Sequence, residues 1–162
     1  MQLRYYEIMS KQQPDKAFPP NHSLQAFAPV IGEWKTAGTH GMIPDTPLHG
    51  HTSFSWHESG AFIVMQSSIN EDVGIPHGLA ILASDDALGT FAMAYYDERG
   101  VSRHYHLSIQ DNVVKWWREQ PSVSQRYSLT ISEDGHTLTG KGEISKDGIT
   151  WEQDLNLVYS KV

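Results

Sequence analysis

From residue 33 onward, apolar side chains recur at every second position in short runs rich in aromatic and β-branched residues, and Gly, Asp, Asn or Pro separates the runs. This alternation marks strands with one face toward a core and the other toward water. Ten runs stand out, at 33–40, 51–57, 61–70, 78–84, 90–97, 101–109, 113–119, 122–132, 137–145 and 150–159. Between them, Glu58-Ser59-Gly60, Asp97-Glu98-Arg99-Gly100, Asp111-Asn112, Asp134-Gly135 and Asp147-Gly148 supply residues that tolerate a left-handed backbone, so consecutive strands are expected to form hairpins. No long segment keeps a 3.6-residue period. The pattern predicts an all-β chain folded as a single antiparallel up-and-down β-barrel of about ten strands. Two longer connections, 41–50 with Pro44 and Pro47 and 71–77 with Gly74 and Pro76, read as loops able to cover an opening.

Ahead of the strands, Asn21 or Ser23 is placed to cap a short helix through Leu24-Gln25-Ala26-Phe27 that ends by Pro29 and Gly32. Its apolar residues Leu24, Phe27, Val30 and Ile31 need a partner, and closing one end of a barrel would provide it. The expected organisation is an N-terminal arm over residues 1–20, disordered or interface-forming, followed by the barrel domain over residues 21–162.

Taking Trp34 as inward, strand alternation turns Thr36, Gly38 and His40 toward the lumen and Lys35 and Thr39 toward water. The more apolar parity elsewhere selects Phe54 and Trp56; Met65 with Ile63, or Phe62 with Val64; Phe91, Met93 and Tyr95; Tyr105, Leu107 and Ile109; Tyr127, Leu129 and Ile131; and Leu155, Leu157 and Tyr159. The candidate ligand-lining set is Trp34, Thr36, Phe54, Trp56, Met65, Met93, Tyr95, Tyr105 and Tyr127. Methionines suit an adaptable apolar pocket, and the tyrosines present hydroxyls to a ligand's polar end.

At 162 residues and 18.2 kDa the chain suits one domain with a sufficient core. Its net charge of −7 and lack of a basic stripe argue against a nucleic-acid partner, although Lys115-Trp116-Trp117-Arg118 interleaves bases with aromatics. The absence of cysteine closes thiolate metal sites, disulfides and cysteine nucleophiles. No apolar core of signal-peptide length opens the sequence and no run approaches a membrane span, so a soluble cytoplasmic protein without a membrane partner is expected.

The stretch from Leu24 through Pro29-Val30-Ile31-Gly32-Glu33-Trp34, with Lys146-Asp147-Gly148, Trp151 and Val158-Tyr159-Ser160-Lys161 near the end, resembles the calycin superfamily. The likeness is greatest to bacterial lipocalin-like and fatty-acid-binding-protein-like barrels, and it covers roughly residues 22–162. It implies that Trp34 plugs the closed end. Lipocalins stack an arginine on this Trp, where Lys161 stands nearest here. The resemblance extends to haem-binding barrels called nitrobindins, whose iron ligand is a late histidine. No histidine follows His136, so haem does not carry over and no cofactor is expected.

Nine histidines are the compositional oddity. His49-Gly50-His51 and His104-Tyr105-His106 have the i, i+2 spacing that puts both rings on one strand face, as a metal site would need. The first pair falls in or beside a loop, and parity turns His104 and His106 to solvent. No nucleophile elbow, phosphate loop or dinucleotide fingerprint occurs. The leading expectation is noncatalytic binding of a small apolar or amphipathic molecule inside the barrel. Two other readings stay open: a metal-assisted enzyme using His49, His51, His104 or His106, and a homodimeric interaction protein with a filled barrel, supported by Trp116 and the N-terminal arm.

Overall fold

The computed structural model describes residues 20–162 apart from Ser59, so the predicted N-terminal arm lies almost wholly outside the described residues. A 3-10 helix, His22–Val30, leads into ten strands: β1 Gly32–His40, β2 Leu48–His57, β3 Phe62–Ile69, β4 Gly78–Asp85, β5 Thr90–Asp97, β6 Ser102–Gln110, β7 Val113–Arg118, β8 Ser124–Ile131, β9 Thr137–Ser145 and β10 Glu152–Lys161. Each strand pairs antiparallel with its sequence neighbours, and β1 pairs with β10 to close the barrel. Closure leaves no edge strand among them to shield. Among the described residues no helix is long and apolar enough to cross a membrane.

The turns follow their residues. Asp111 and Asn112 both take positive φ, 50° and 60°, which is the backbone of a two-residue hairpin turn between β6 and β7. Between β3 and β4 a single 3-10 turn, Glu71–Val73, occupies part of the expected loop. One boundary differs in a way that matters. β2 begins at Leu48, not at 51, because Gly38 to Trp34 of β1 pair with Leu48 to Thr52. His49 and His51 are therefore strand residues.

The N-terminal helix is 3-10 throughout. Its buried residues, Leu24, Phe27 and Val30, are spaced by three, and side chains at i and i+3 eclipse in a three-residue turn, giving one continuous apolar edge. Asn21 caps it, accepting from the Ser23 N–H at 3.1 Å, while Asn21 Nδ2 donates to Ser84 Oγ at 2.6 Å and ties the cap to β4. Phe27 meets Phe91 edge to face with ring centroids 5.0 Å apart. Beneath the helix Trp34 is completely buried and its Nε1 donates to the Val30 carbonyl at 2.9 Å. Lys161, paired with Trp34 across β1 and β10, places its ammonium 5.3 Å from the indole.

Above the indole the core holds a buried polar pair, Thr36 and Thr52, with hydroxyls 2.9 Å apart. Each is the other's partner. Thr36→Val alone should cost about 1–3 kcal/mol in urea unfolding, because it strands the Thr52 hydroxyl, whereas replacing both by Val should be close to neutral. Additive losses in the double variant would contradict the pairing.

Candidate functional site

The helix, the Asp111-Asn112 turn and the chain end lie at one end of the barrel, and the opposite end carries the connections 41–47, 70–77, 98–101, 119–123 and 146–151. A cavity of about 300 Å³ runs into the lumen from this second end. That volume is at the lower end of the ~300–1,000 Å³ usual for small-molecule sites. Met65, Ala80, Met93, Leu155 and Leu157 give it an apolar wall, and Ile75 and Pro76 of the β3–β4 connection border it.

Five of the candidate residues line this space: Met65, Met93, Tyr95, Tyr105 and Tyr127. Trp34, Thr36, Phe54 and Trp56 point inward but lie outside the lining, since they pack in the half of the barrel closed by the helix. On β3 the neighbouring strands resolve the double parity in favour of Ile63, Met65 and Ile69, with Phe62 and Val64 on the other face. Trp116 is the lumen-side member of the Trp116-Trp117 pair and stacks on Tyr127 at 4.4 Å, while Trp117 stacks on His106 at 5.5 Å on the outer face.

Two tyrosines are seated by glycines. A Cβ at Gly140 would collide with the Tyr127 ring and hydroxyl, and one at Gly78 would stand 2.7 Å from the Tyr95 ring. Gly38 and Gly50, also at inward parity, admit close approach of the neighbouring strands, since a Cβ at either would collide with the Asn156 or the Ser68 carbonyl. Gly78 and Ala80 of β4 are the small residues at inward parity that border the cavity, a signal that apolar parity alone passes over.

Polar groups gather at the floor and the mouth. Deep in the lumen the Tyr127 and Tyr159 hydroxyls stand 3.0 Å apart, both buried. Burial pushes Tyr159 up to about 12 and holds Tyr127 well above the usual phenol value. Unfolded phenols ionise near ~10, so between ~10 and ~12 the native state holds more protons than the unfolded chain and stability falls as pH rises. Tyr159→Phe should flatten that decline, measured by urea unfolding across the same window; an unchanged slope would argue against a buried phenol there.

At the mouth, burial and then the neighbouring Asp97 carboxylate raise Tyr95 to about 12, and its hydroxyl donates to Asp97 Oδ2 at 3.2 Å. Arg99 donates to the same carboxylate at 2.7 Å and holds Asp97 down to about 2. On the facing wall a β-bulge between Gln153 and Asn156 brings Asp154 alongside Leu155 into the lining. Asp154 sits 3.2 Å from His40 Nε2, and His40 Nδ1 accepts from the Met42 N–H at 3.1 Å. These two contacts assign the ring proton to Nε2. Both ring nitrogens are occupied.

The histidine pairs of the metal reading do not come together. His49 and His51 lie on the outer face of β2, His104 and His106 on the outer face of β6, and β3, β4 and β5 intervene. His51 instead meets Glu33 at 3.1 Å. Among the described residues no group of three or more His, Asp or Glu is arranged to hold a metal ion.

Sequence reasoning passed over Arg103, Gln125 and Asp154, and weighed Arg118 only within the basic and aromatic run Lys115-Trp116-Trp117-Arg118. Arg103, Gln125 and Asp154 border the cavity, and Arg118 stands beside Tyr105, its Cζ 5.9 Å from the ring centroid. Arg103 shares its parity with Tyr105 and Leu107, and Arg118 with Val114 and Trp116. Parity held the signal, but a charged residue near a strand end is ordinarily solvated.

The sequence matches no protein-family model and no curated protein. Among solved structures, the crystal structure of Rv2717c from M. tuberculosis is similar, with a TM-score of 0.57 at 15% identity over 88% of this chain and 99% of that one. This likeness is one of fold: the chain is a closed ten-strand antiparallel β-barrel with the same overall course as Rv2717c.

Proposed function

We propose that the protein binds a small apolar or amphipathic molecule in its lumen, without catalysis, in the manner of a calycin-type carrier. The observation that carries this reading is the cavity itself, about 300 Å³ with a methionine, leucine and aromatic wall, lined from the end of the barrel opposite the helix. Affinity would come from apolar area removed from water, at roughly 25 cal/mol per Å² before the costs of ordering are subtracted. Met65 and Met93 adapt the wall to the guest, Trp116 and Tyr127 offer a flat face, and the tyrosine hydroxyls and mouth arginines receive its polar end.

The test uses N-phenyl-1-naphthylamine, a neutral apolar probe whose fluorescence rises in dry surroundings. Saturable binding at one site per chain is expected, with energy transfer from Trp116. Nonsaturable weak binding, or binding unaffected by changes to the lumen, would overturn the proposal.

A further inference from the structure

The sheet divides the run Lys115-Trp116-Trp117-Arg118: Trp116 faces the lumen, while Lys115 and Trp117 face outward on β7. Cross-strand register sets what surrounds them. Lys115 pairs with Ser128 of β8, and Ser128 pairs with Lys141 of β9, so two exposed ammonium side chains flank one hydroxyl in a single row. The row continues to Ser108 of β6 and Asn156 of β10, both neutral. One row nearer the open end, Trp117 pairs with Arg126, and Arg126 pairs with Glu143. Arg126 Nε donates to Glu143 at 2.6 Å, and its guanidinium lies over Trp151, 4.0 Å from the ring centroid, so these two charges are committed to each other. One row nearer the helix, Val113, Thr130, Thr139 and Val158 carry no charge. Among the described residues, neither Lys115 nor Lys141 has a carboxylate within 4.0 Å.

A chain of net charge −7 thus carries a locally positive face, and a concavity of about 360 Å³ lies on it, bordered by Lys115, Trp117, Arg126, Ser128, Lys141 and Glu143. Adjacent strands lie ~4.8 Å apart, so Lys115 and Lys141 rise from backbone positions roughly 10 Å from each other, and a group centred over Ser128 is within reach of both. Two ammoniums and a hydroxyl make three donors around one point. A phosphate monoester offers three oxygens and nearly two negative charges at neutral pH, which match the donors in number and sign; a carboxylate would leave one donor unmet. Lysine suits phosphate in particular, as a point charge that needs no planar partner. Beside these donors, His106 takes one face of the Trp117 indole, with centroids 5.5 Å apart, and Trp117 also borders the concavity. Two unpaired lysines are too few to follow a nucleic-acid backbone, and enough for one phosphate.

We propose that the outer face of β7, β8 and β9 is a second binding site, for a small aryl phosphate whose phosphate sits over Ser128 between Lys115 and Lys141 and whose ring lies against Trp117. This site stands on the far side of the sheet from the lumen and does not depend on what the lumen holds. The Arg126–Glu143 pair walls the ring side without net charge, so the ligand's charge belongs on its phosphate and not on its ring.

The experiment is isothermal titration calorimetry of the full chain at low salt with phenyl phosphate and with inorganic phosphate. One phenyl phosphate per chain is expected, bound about fivefold or more tightly than inorganic phosphate because of the contact with the indole. Trp117→Ala should remove that difference by weakening phenyl phosphate alone. Lys115→Gln and Lys141→Gln, both at exposed positions, should each weaken the two ligands by about threefold or more. Lys146→Gln, which removes a positive charge on the β9–β10 connection outside this row, should leave both affinities within about 1.5-fold. Absence of saturable binding, or an equal loss on Lys146→Gln, would overturn the site. Inorganic phosphate bound as tightly as phenyl phosphate by the wild type would overturn the aryl assignment. Displacement of N-phenyl-1-naphthylamine by phenyl phosphate would place the ligand in the lumen and overturn the outer site as well.

Discussion

Trp34→Ala is expected to lower stability to urea by about 3–5 kcal/mol, a large share of the ~5–15 kcal/mol that holds a typical domain together. Three contributions go at once. The indole is completely buried beneath Leu24, Phe27 and Val30; its N–H satisfies the Val30 carbonyl at the end of the helix; and its face carries Lys161. Removing the ring leaves a void between the helix and the strands that the closed sheet has little freedom to collapse. Lys161→Ala, by contrast, should cost only about 0.5–1 kcal/mol, the usual scale of an exposed cation on an aromatic face. A Trp34→Ala loss near that of Lys161→Ala would mean that the plug contributes little to closure.

Ala80→Trp should abolish probe binding, with an affinity loss of about a hundredfold or more, which is roughly 2.7 kcal/mol. Ala80 lies in the cavity lining on β4, paired with Met65 on one side and Tyr95 on the other. An indole there would take the space a guest needs. Its effect on stability is the sharper reading. Extra bulk in a filled core strains its neighbours by about 1–3 kcal/mol, whereas bulk in an empty lumen gains contacts and should leave stability within about 1 kcal/mol of wild type. Blocked binding with retained stability is the expected combination. Strong destabilisation together with weak probe binding in the wild type would describe a packed core.

Much of the barrel was legible because its strands are half-buried, and half-burial writes a two-residue period into the chain. Trp34 and Thr36, Tyr105 and Leu107, and Tyr127 and Leu129 all read correctly as inward positions. Asp111-Asn112 announced its turn because few side chains other than Asn, Asp and Gly accept two successive positive φ angles. The helix was placed but not typed. Its buried spacing of three, Leu24 to Phe27 to Val30, was present in the sequence and favours a 3-10 turn.

Other features depend on partners that no single segment specifies. The parity of β3 was decided by β2 and β4, since Phe62, Ile63, Val64 and Met65 are apolar on both faces. The start of β2 at Leu48 was set by pairing with β1, which brought His49 out of the expected connection and onto the same outer strand face as His51. Asp154 reaches the mouth only because of the extra residue that β10 accommodates against β9. The half of the barrel that stays open is marked by glycines under tyrosines, a cross-strand relation that emerges once register is known.

The most direct test of the central claim, a dry and unfilled lumen, is the electron density of crystals pressurised with xenon, an apolar atom that settles in empty hydrophobic cavities. The account predicts a xenon peak inside the barrel among Met65, Ala80, Met93 and Leu157. Side chains closed over that position, with no xenon between them, would contradict it.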